Sequence, residues 1–511
     1  MRTRHTTIAS LGIVIAAGFL QMAGCSADAD DCSRSNICSE EGKPFVVGPL
    51  PGCTDSPSSN PDVIKTECAF FVDGLKGDDN GPGTEAKAYK TLAVAIEAAR
   101  RSKARVYACG DYAERVEVPA GVSIFGGFDC QDVEWRYDAS RKARINPSAP
   151  ASPDEVPASL KIAGGNTTQL EDLRIEAANA TLPGGSAIAV LVDSAIVKFA
   201  RTELIAGSGA AGDQGVTPTD DIGPADPDDA TIRGNNGQNA CMGGAGGNTG
   251  GAAKANPLCG ESTGGKGGNG QEASGDAGGD GIPAPNPNPS NKGIGGLGDM
   301  GQGCDLGEPG ANGTSGNDGV GAVEEGTLDA TKGYIGASGQ QGKKGTVGQG
   351  GGGGGGSKGK TSCFGASGGS GGAGGCGGNG GLGGMPGGSS IAIASIGATL
   401  SFNAVDITTG AGGRGGDGGF GQAGGAGGNG GNGGNGASGP ATPLGCRGGK
   451  GGNGGIGGNG GGGRGGHSIG IAYKGGNVSD AGVVIITGTP GAGGLGGGAT
   501  EGVNATMLAF P

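Results

Sequence analysis

The sequence predicts an all-β solenoid whose coils are interrupted by glycine-rich inserts. Short apolar runs recur along the chain, and the offset within each pair of runs is 16 residues: from Ile188 to Leu204, from Ile391 to Ile407 and from Ile469 to Ile485. Aliphatic side chains alternate with other residues in these runs, as in strands with one buried face. A fixed offset between such strands is typical of stacked coils. We therefore expect these valines and isoleucines to fill one narrow interior.

Glycine accounts for 129 of the 511 residues and is concentrated after residue 233. Three glycine-rich inserts follow the third strand of a coil, at residues 207–387, 411–466 and 489–500. Because each insert begins at the same point of the repeat, we expect all three to leave one edge of the solenoid.

Two physical states are open for these inserts. They contain few apolar side chains to offset the entropy that ordered glycine loses, which favours disorder. The alternative is a bundle of polyglycine-II helices, in which three residues per turn leave two glycine edges free for close packing. The regular Gly-Gly-X texture favours the bundle for residues 369–388 and 411–466, whereas the irregular residues 208–345 favour disorder.

The N-terminus has the features of an export signal. Arg2 and Arg4 precede an apolar stretch at residues 8–23, and Met22-Ala23-Gly24-Cys25 resembles a bacterial lipobox. The resemblance implies that residues 1–24 are a signal peptide and that Cys25 is lipidated. Ser26, instead of Asp, favours the outer membrane over the inner one. The alternative is ordinary secretion with a coincidental cysteine.

Cysteine usage also fits an exported protein. The chain has 13 Cys, so lipidation of Cys25 leaves twelve, an even number that favours disulfides. The disulfide candidates, with their connectivity open, are Cys32, Cys38, Cys53, Cys68, Cys109, Cys130, Cys241, Cys259, Cys304, Cys363, Cys376 and Cys446. We interpret residues 25–68 as a Cys-containing tether. The cysteines form no CxxC pair, which argues against structural zinc.

A strand is predicted at residues 69–72, followed by a turn-rich loop and a helix at 89–101, in which Leu92 and Ile96 lie on one apolar face. The stretches FVDGLKGDDNGPG and RVYACGDYAERVEVPAGVSIFGGFD resemble the opening of a bacterial domain family in the pectin-lyase-like superfamily. The resemblance implies a right-handed parallel β-helix whose open end is covered by this helix. A solenoid needs such a cap because its end exposes backbone and core.

The sequence thus divides into seven parts. These are the signal peptide 1–24, the tether 25–68, the first β-helix part 69–206, the insert 207–387, a coil 388–410, the insert 411–466, and the last coil with a tail, 467–511. The glycine tracts are similar to PGRS-type bacterial surface segments, and the whole layout is similar to glycine-rich lipoproteins.

Charge and motifs exclude several classes of function. The net charge is −13 and no basic patch or aromatic platform is present, so we expect no nucleic-acid partner. No glycine tract ends in the Lys-Ser/Thr of a phosphate loop, so we expect no nucleotide and no cofactor. Asp73, Asp78 and Asp79 form a weak calcium candidate, for which a turn held by Asx hydrogen bonds is the favoured alternative.

The superfamily includes polysaccharide lyases and hydrolases, whose Asp, Arg or His residues cluster on neighbouring coils. Arg201, Glu203 and Asp406 are expected to lie singly on their coils, and the aromatic content is only 4%. We therefore predict a non-enzymatic, lipid-anchored cell-surface protein with a structural or adhesive role. Its partners would be the membrane and an extracellular glycan, matrix or neighbouring cell surface.

Two alternatives remain open at this stage. The first is a polysaccharide lyase or hydrolase, which requires charged residues that converge on adjacent coils. The second is a flat polyglycine-II face that binds an ordered surface such as ice, which requires a regular ladder of Thr, Ala or Asn.

Overall fold

The computed structural model describes residues 48–242, 246–439 and 441–511. The predictions for Cys25, Cys32 and Cys38, and for the signal peptide, lie outside these residues. The described chain is nearly all β, with one α-helix and one 3₁₀ turn at Pro61–Val63.

The α-helix, α1, spans Leu92–Arg101. In chain order the strands are β1 Phe70–Asp73, β2 Arg105–Cys109, β3 Asp111–Tyr112, β4 Val116–Pro119, β5 Ser123–Phe125, β6 Ala143–Ile145, β7 Ala158–Ala163, β8 Thr167–Glu171, β9 Leu173–Ala177, β10 Ala187–Asp193 and β11 Ile196–Ala200. They continue as β12 Glu203–Ala206, β13 Lys254–Ala255, β14 Thr263–Gly264, β15 Thr327–Asp329, β16 Gly333–Ile335, β17 Ser390–Ile396, β18 Thr399–Asn403, β19 Val405–Thr409, β20 Ser468–Lys474, β21 Val483–Ile486 and β22 Asn504–Ala509.

Three six-stranded parallel sheets form the body of the molecule. The first sheet has the order β1-β2-β5-β8-β11-β18, the second β22-β20-β17-β10-β7-β4, and the third β21-β19-β12-β9-β6-β3. The chain passes through the second, first and third sheets in turn and then returns to the second. This connectivity is consistent with the predicted parallel β-helix, and its right-handedness stays a prediction.

The register confirms the repeat inferred from sequence. Ile188 pairs with Ile391, which pairs with Ile469. In the third sheet Leu204 pairs with Ile407, which pairs with Ile485. Residues far apart in sequence are therefore neighbours on successive coils.

The expectation of one interior for all these isoleucines is wrong for one row. Val190, Ile393 and Ile471 pack in the solenoid core, whereas Ile188, Ile391 and Ile469 belong to a second cluster. That second cluster includes Leu328 and Tyr334 of the antiparallel β15–β16 hairpin, together with Phe510. Residues two apart in a regular strand share a face, but the β10 register skips Ala189, so Ala189 and Val190 both pack in the core while Ile188 and Leu191 belong to the second cluster.

Helix α1 begins at Leu92 instead of the predicted residue 89, because side chains cap it there. Glu114 accepts hydrogen bonds from the N–H groups of Leu92 (2.7 Å) and Ala93 (3.2 Å). These are orphan donors of the first helical turn, which a carboxylate satisfies well. The buried face of the helix packs on the solenoid core through Leu92 and Ile96.

The described part of the predicted tether, residues 48–68, folds onto the outer face of the first sheet. The guanidinium of Arg105 donates to the carbonyls of Cys53 and Asp55, and the hydroxyl of Tyr107 donates to Val63 O at 2.9 Å. Arg105 also lies over the ring of Phe125, 4.4 Å from its centroid. This part of the chain is therefore packed against the solenoid.

All three glycine-rich inserts leave the solenoid at one corner. Each lies between a strand of the third sheet and the next strand of the second sheet: β12 and β17, β19 and β20, β21 and β22. The common exit predicted from sequence is confirmed. The two ends of the second insert also meet, since Gly466 donates to Gly413 O at 2.8 Å.

Within the inserts, segments without regular α or β structure bond laterally with a period of three residues. Every third N–H from Gly369 to Gly387 donates to every third carbonyl from Cys446 to Arg464, at 2.8–3.0 Å. A second set runs antiparallel, from the N–H groups of Gly413–Gly434 to the carbonyls of Gly388–Ser367. A three-residue period is that of polyglycine-II. We call these laterally bonded segments of 207–388, 411–466 and 488–502 the glycine bundle.

Residues 365–388 form the central segment of this bundle. They exchange backbone hydrogen bonds with segments on every side, at 210–216, 232–238, 251, 265–268, 339–354, 413–434 and 446–464. Residues 365–378 of the central segment are buried.

Disorder was expected for residues 208–345, and this expectation is wrong for much of that range. Gly310, Gly313, Gly316 and Gly319 donate to carbonyls of 450–459, and Gly212 and Gly215 donate to carbonyls of 414–417. These segments keep a glycine at every third position even where the other two vary. A segment with glycine along only one edge can therefore still pack into the bundle.

The close approach of the segments explains the glycines. An added Cβ at Gly372, Gly375 or Gly451 would lie 1.9–2.1 Å from a carbonyl oxygen of a neighbouring segment. The Asn side chains at X have a matching role: the Oδ1 atoms of Asn453 and Asn459 accept from the N–H groups of Gly427 and Gly421, at 3.0 Å each. A side chain thus replaces a backbone partner where a neighbouring segment is missing.

Within the described residues, five disulfides join the ten candidate cysteines that lie there. They are Cys53–Cys68, Cys109–Cys130, Cys241–Cys363, Cys259–Cys376 and Cys304–Cys446. The last three connect segments of the glycine bundle across sequence separations of 122, 117 and 142 residues. In the chain-entropy account, closing loops of this length stabilises the fold by about 4 to 5 kcal/mol each.

Neither α1 nor the 3₁₀ turn has the length and apolarity that a membrane span requires.

We expect Gly372→Ala to destabilise the bundle, because its Cβ would lie 2.0 Å from Gly428 O. Overpacking of this kind costs about 1 to 3 kcal/mol. Denaturant unfolding of the full-length protein measures the change. Gly165→Ala is the matched control, since nothing lies within 4 Å of a Cβ there. Equal midpoints for the two variants would contradict the packing described above.

His467 generates a second prediction. Burial lowers the pKa of His467 below its usual 6.5, although a hydrogen bond to Glu325 O opposes this. The unfolded chain therefore takes up the proton first, and stability that is complete above pH 6.5 is lost as the pH falls towards the folded pKa. We expect the melting temperature to fall between pH 7 and 5.5, and to fall less in His467→Gln. Parallel pH profiles for the two proteins would disprove this role.

Candidate functional site

Charged side chains line the outer face of the third sheet and make the best candidate for a chemical site. Arg144, Arg174, Glu203 and Asp406 occupy paired positions on the neighbouring strands β6, β9, β12 and β19. Arg174 Nη1 lies 3.1 Å from Glu203 Oε2, and both Arg144 and Arg174 contact the carboxylate of Glu176. We call these five residues the charged face.

The expectation that Glu203 and Asp406 lie singly is therefore wrong. They are direct partners in the β12–β19 register. Sequence inspection missed this pair because 203 residues separate Glu203 from Asp406 and the intervening insert hides their register. The 16-residue offset was the available signal, since it aligns Leu204 with Ile407 and therefore Glu203 with Asp406.

Arg201 lies beside the charged face, at the corner between the first and third sheets. Its Nε and Nη2 atoms bind the two carboxylate oxygens of Asp172, each at 2.9 Å, and Nη2 also contacts Glu171 at 2.8 Å. The hydroxyl of Tyr137 donates to Asp172 Oδ2 at 2.9 Å. Asp172 is 1% exposed. The pair is bidentate and its carboxylate is buried, so it stabilises the corner.

The same corner recurs on successive coils with left-handed backbone geometry. Asp172, Arg201 and Ala404 have φ values of 52°, 48° and 54°. Such values are uncommon outside glycine, and Asp tolerates them through local hydrogen bonds. The ion pair between Arg201 and Asp172 therefore joins two equivalent corners of neighbouring coils.

The electrostatics of the charged face do not favour proton transfer at Glu176. Partial burial favours the neutral form of Glu176, but hydrogen bonds from Arg144 and Arg174 outweigh it and lower the pKa. A general acid would need a raised pKa. Asp406 is exposed, and no hydrogen bond or ion pair joins its carboxylate to another described residue. It is the one member of the charged face without such a partner.

Glu114 is the described carboxylate whose pKa is raised. Burial raises the pKa, against the effect of the hydrogen bonds that Glu114 accepts from Leu92 and Ala93. Because both of its oxygens cap α1, we assign it a structural role.

The three carboxylates of the weak calcium candidate accept hydrogen bonds from backbone N–H groups. Asp73 Oδ1 accepts from the N–H groups of Leu75 and Lys76, and Asp78 Oδ1 accepts from Asn80. Asp79 Oδ1 accepts from Lys90 and Thr91 and so fixes the approach to α1. Asx-type turns thus account for Asp73 and Asp78, whereas Asp79 bonds to residues 11 and 12 positions further along the chain. The weak calcium hypothesis stays a prediction. Asp73 also lies near the sulfurs of Cys109 and Cys130, but these form a disulfide and are not available as ligands.

The histidine at the start of β20 is structural. His467 Nδ1 accepts from the N–H of Val503 at 2.8 Å, and Nε2 lies 2.8 Å from Glu325 O. Its ring meets the rings of Tyr334 and Phe510 edge to face. His467 is completely buried, and these contacts connect the β15–β16 hairpin region to the last coil.

The outer edge of residues 446–464 was compared with the ladder that an ice-binding face would need. The exposed X positions carry Arg447, Lys450, Asn453, Ile456 and Asn459. These side chains differ in size and charge, so they form no ladder of one residue type. Nothing in this segment favours the ordered-surface hypothesis.

The chain was compared with known proteins at three levels. No family model matches it, and no curated protein matches it. Among solved structures, the pectin methylesterase PemA from Erwinia chrysanthemi has a TM-score of 0.19 and 14% identity, covering 27% of this chain and 46% of that one. The pectin methylesterase from Aspergillus niger has a TM-score of 0.19 and 12% identity, covering 28% and 52%.

A GH136 lacto-N-biosidase from Eubacterium ramulus has a TM-score of 0.15 and 10% identity, covering 26% of this chain and 33% of that one. The chain thus spans about half, or less, of each of these structures, and likenesses this distant carry no argument about activity. The fold stands on the sheet topology alone.

Proposed function

We propose that the protein is a lipid-anchored, non-enzymatic cell-surface protein that presents the glycine bundle on a β-helix support. The observation that carries this proposal is the common exit of the three inserts at one corner of the solenoid. A single ordered body attached along one edge is a geometry suited to display, with a structural or adhesive role.

The construction of the bundle supports this role. Backbone hydrogen bonds join its segments, and three disulfides connect segments that are distant in sequence. Disulfides of this kind persist in oxidising compartments, which agrees with export. The acidic charge of −13 would keep such a displayed body soluble.

The condition of the charged side chains also supports a non-enzymatic role. Arg201 is engaged by Asp172 and Glu171, and Glu176 by Arg144 and Arg174. Paired groups of this kind are common in structural networks, and they leave little capacity for proton transfer.

One observation favours the alternative of a polysaccharide lyase or hydrolase. Glu203 and Asp406 project from adjacent coils at paired positions, next to Arg174. Carboxylates on neighbouring coils satisfy the first requirement of glycosidic chemistry. This hypothesis therefore deserves a direct test.

The membrane anchor predicts the effect of Cys25→Ser. We expect the variant to move from the detergent phase to the aqueous phase, because acyl chains on Cys25 would supply the membrane affinity. Phase partitioning followed by immunoblotting measures this, with Cys53→Ser as a control for loss of a different cysteine. Unchanged partitioning of Cys25→Ser would contradict the anchor.

The enzymatic alternative predicts cleavage of an acidic or neutral polysaccharide and its loss in Glu203→Gln with Asp406→Asn. Under the non-enzymatic proposal, we expect the full-length protein to release no new reducing ends or unsaturated products from a panel of polysaccharides. Asp480→Asn, an exposed carboxylate on the last coil, is the control. Activity that the double variant loses and the control keeps would overturn the proposal.

A further inference from the structure

The central segment of the glycine bundle is fully surrounded over only part of its length. Near its start, the N–H groups of Gly368 and Gly371 donate to the carbonyls of Gly268 and Gly265, at 2.9 and 2.8 Å. Gly265 and Gly268 donate in turn to the carbonyls of Gly351 and Gly354. Residues 263–270 therefore lie along two walls that also bond to each other, accepting hydrogen bonds from residues 365–388 and donating to residues 339–356.

This segment stops at Ser262. The Ser262 hydroxyl accepts from the N–H of Gly374 at 2.8 Å and donates to Gly348 O at 2.7 Å. It thus makes the last hydrogen bonds that bridge the two walls. Beyond Ser262 the two walls continue, but no described segment lies along both of them in this way.

The walls keep the same geometry in the open part. An added Cβ at Gly377, Gly380 or Gly383 would lie 1.8–1.9 Å from the facing carbonyl oxygens of Gly345, Gly342 and Gly339. In the filled part, the distance from a Cβ at Gly371 to Gly351 O is 1.9 Å. The open part therefore continues the same lattice.

The polar groups of the open part lack the partners that their equivalents have. The N–H groups of Gly377, Gly380 and Gly383 make no hydrogen bond to any described residue, although Gly377 and Gly380 are buried. The carbonyls of Gly339, Gly342 and Gly345 likewise accept none from the described chain. Buried backbone groups without a partner are rare in folded proteins.

A groove of about 550 Å³ includes two of these groups, Gly342 and Gly380, in its lining. The rest of the lining comes from neighbouring side chains of the same two segments, among them Gln341, Lys344, Asn379 and Leu382, and from Val216–Asp220. Leu382 is 42% exposed. A second cavity of about 360 Å³ is lined by Ser338 and Met385 together with residues from 150–157, 180–186 and 332–336.

Elsewhere in the bundle, side chains take over where a neighbouring segment is missing. Asn453 and Asn459 accept from the N–H groups of Gly427 and Gly421 in this way. In the groove, Gln341 reaches Gly380 O at 3.2 Å, but no side chain accepts from the three unpaired N–H groups. The groove is thus a row of the lattice that the described chain leaves unfilled.

We propose that this groove binds a Gly-Gly-X segment of a partner protein, which extends the row begun by residues 263–270. The occupant would accept from Gly377, Gly380 and Gly383 and donate to Gly339, Gly342 and Gly345. Three residues per turn, rising about 9 Å per turn, match this repeat. The inference deepens the proposed adhesive role and depends on it for its biological setting.

The occupant needs glycine at the first position of each triplet, which faces a wall. In the filled row, a Cβ at Gly264 or Gly267 would lie 2.1 or 2.0 Å from the carbonyl of Gly371 or Gly368. The third position carries Lys266 and Asn269. Main-chain hydrogen bonds would supply the affinity, as in strand addition to a sheet edge.

A capped synthetic peptide of five Gly-Gly-Asn triplets tests the proposal on the full-length protein. Hydrogen exchange followed by mass spectrometry reports on residues 376–384, with residues 365–374 as the internal control. We expect a saturating peptide to slow exchange at 376–384 at least tenfold and to leave 365–374 unchanged. Absence of slowing at 376–384 would overturn the proposal.

Two control peptides test the geometry. A peptide of five Ala-Gly-Asn triplets should bind at least tenfold more weakly, because its methyl groups would take the positions of Gly264 and Gly267 and meet wall carbonyls. A peptide of the same composition as the probe, with its residues in scrambled order so that no three-residue period remains, should also bind at least tenfold more weakly. Equal protection by the scrambled peptide would show that the three-residue period is not recognised, and the proposal would fail.

A pair of protein variants tests the location. Leu382→Trp should obstruct the groove and abolish peptide protection, whereas Ile456→Trp, at an exposed X position outside the groove, should bind the peptide as the unsubstituted protein does. Unchanged peptide binding by Leu382→Trp would refute the assignment of the groove.

Binding of the protein to cell surfaces is measured separately. Adhesion without peptide binding would reject the groove alone, and peptide binding without adhesion would reject the proposed function alone.

Discussion

Close contact between polypeptide backbones is the constraint on which the rest of this structure depends. Neighbouring segments of the glycine bundle approach until a single methyl group at Gly372 or Gly451 would lie about 2 Å from a carbonyl oxygen. At this distance lateral N–H···O=C hydrogen bonds replace the aliphatic core of an ordinary domain. Ordering glycine costs more entropy than ordering other residues, and regular lateral bonds with three long-range disulfides offset that cost.

The solenoid and the bundle are built as one unit because they share a corner and a hydrophobic cluster. Each insert leaves the third sheet and returns to the second sheet in register, so that Ile391 and Ile469 follow Ile188. The β15–β16 hairpin, which belongs to the first insert, covers this same row with Leu328 and Tyr334. The insert therefore completes the burial of the sheet from which it projects.

Burial and pairing divide the charged residues by role. Arg201 and Asp172 connect two equivalent corners, and Glu114 caps a helix, so their charges stabilise local geometry. The charged face has the arrangement of residues on neighbouring coils that chemistry would require, but most of its carboxylates are already engaged by arginines. Asp406 is the exception, and it is the residue on which the enzymatic hypothesis depends.

The sequence alone determined the period of this protein. Alternating aliphatic residues at a 16-residue offset predicted which strands pair, and the placement of glycine after Ala206, Thr409 and Thr487 predicted where the inserts leave. These features are local, because strand alternation and turn residues act within a few positions. The cap helix was predicted for the same reason, within three residues of its start.

The tertiary structure decided everything that depends on contacts between distant segments. It brought Glu203 next to Asp406, and Arg201 next to Asp172. It placed Ile188 against the β15–β16 hairpin instead of in the solenoid core. It also ordered residues such as Gly310 and Gly313, for which the composition had predicted disorder. It also left the row beyond Ser262 unfilled. The physical reason is that a glycine segment acquires its conformation from neighbours that surround it, and the sequence of one segment does not say which neighbours those are.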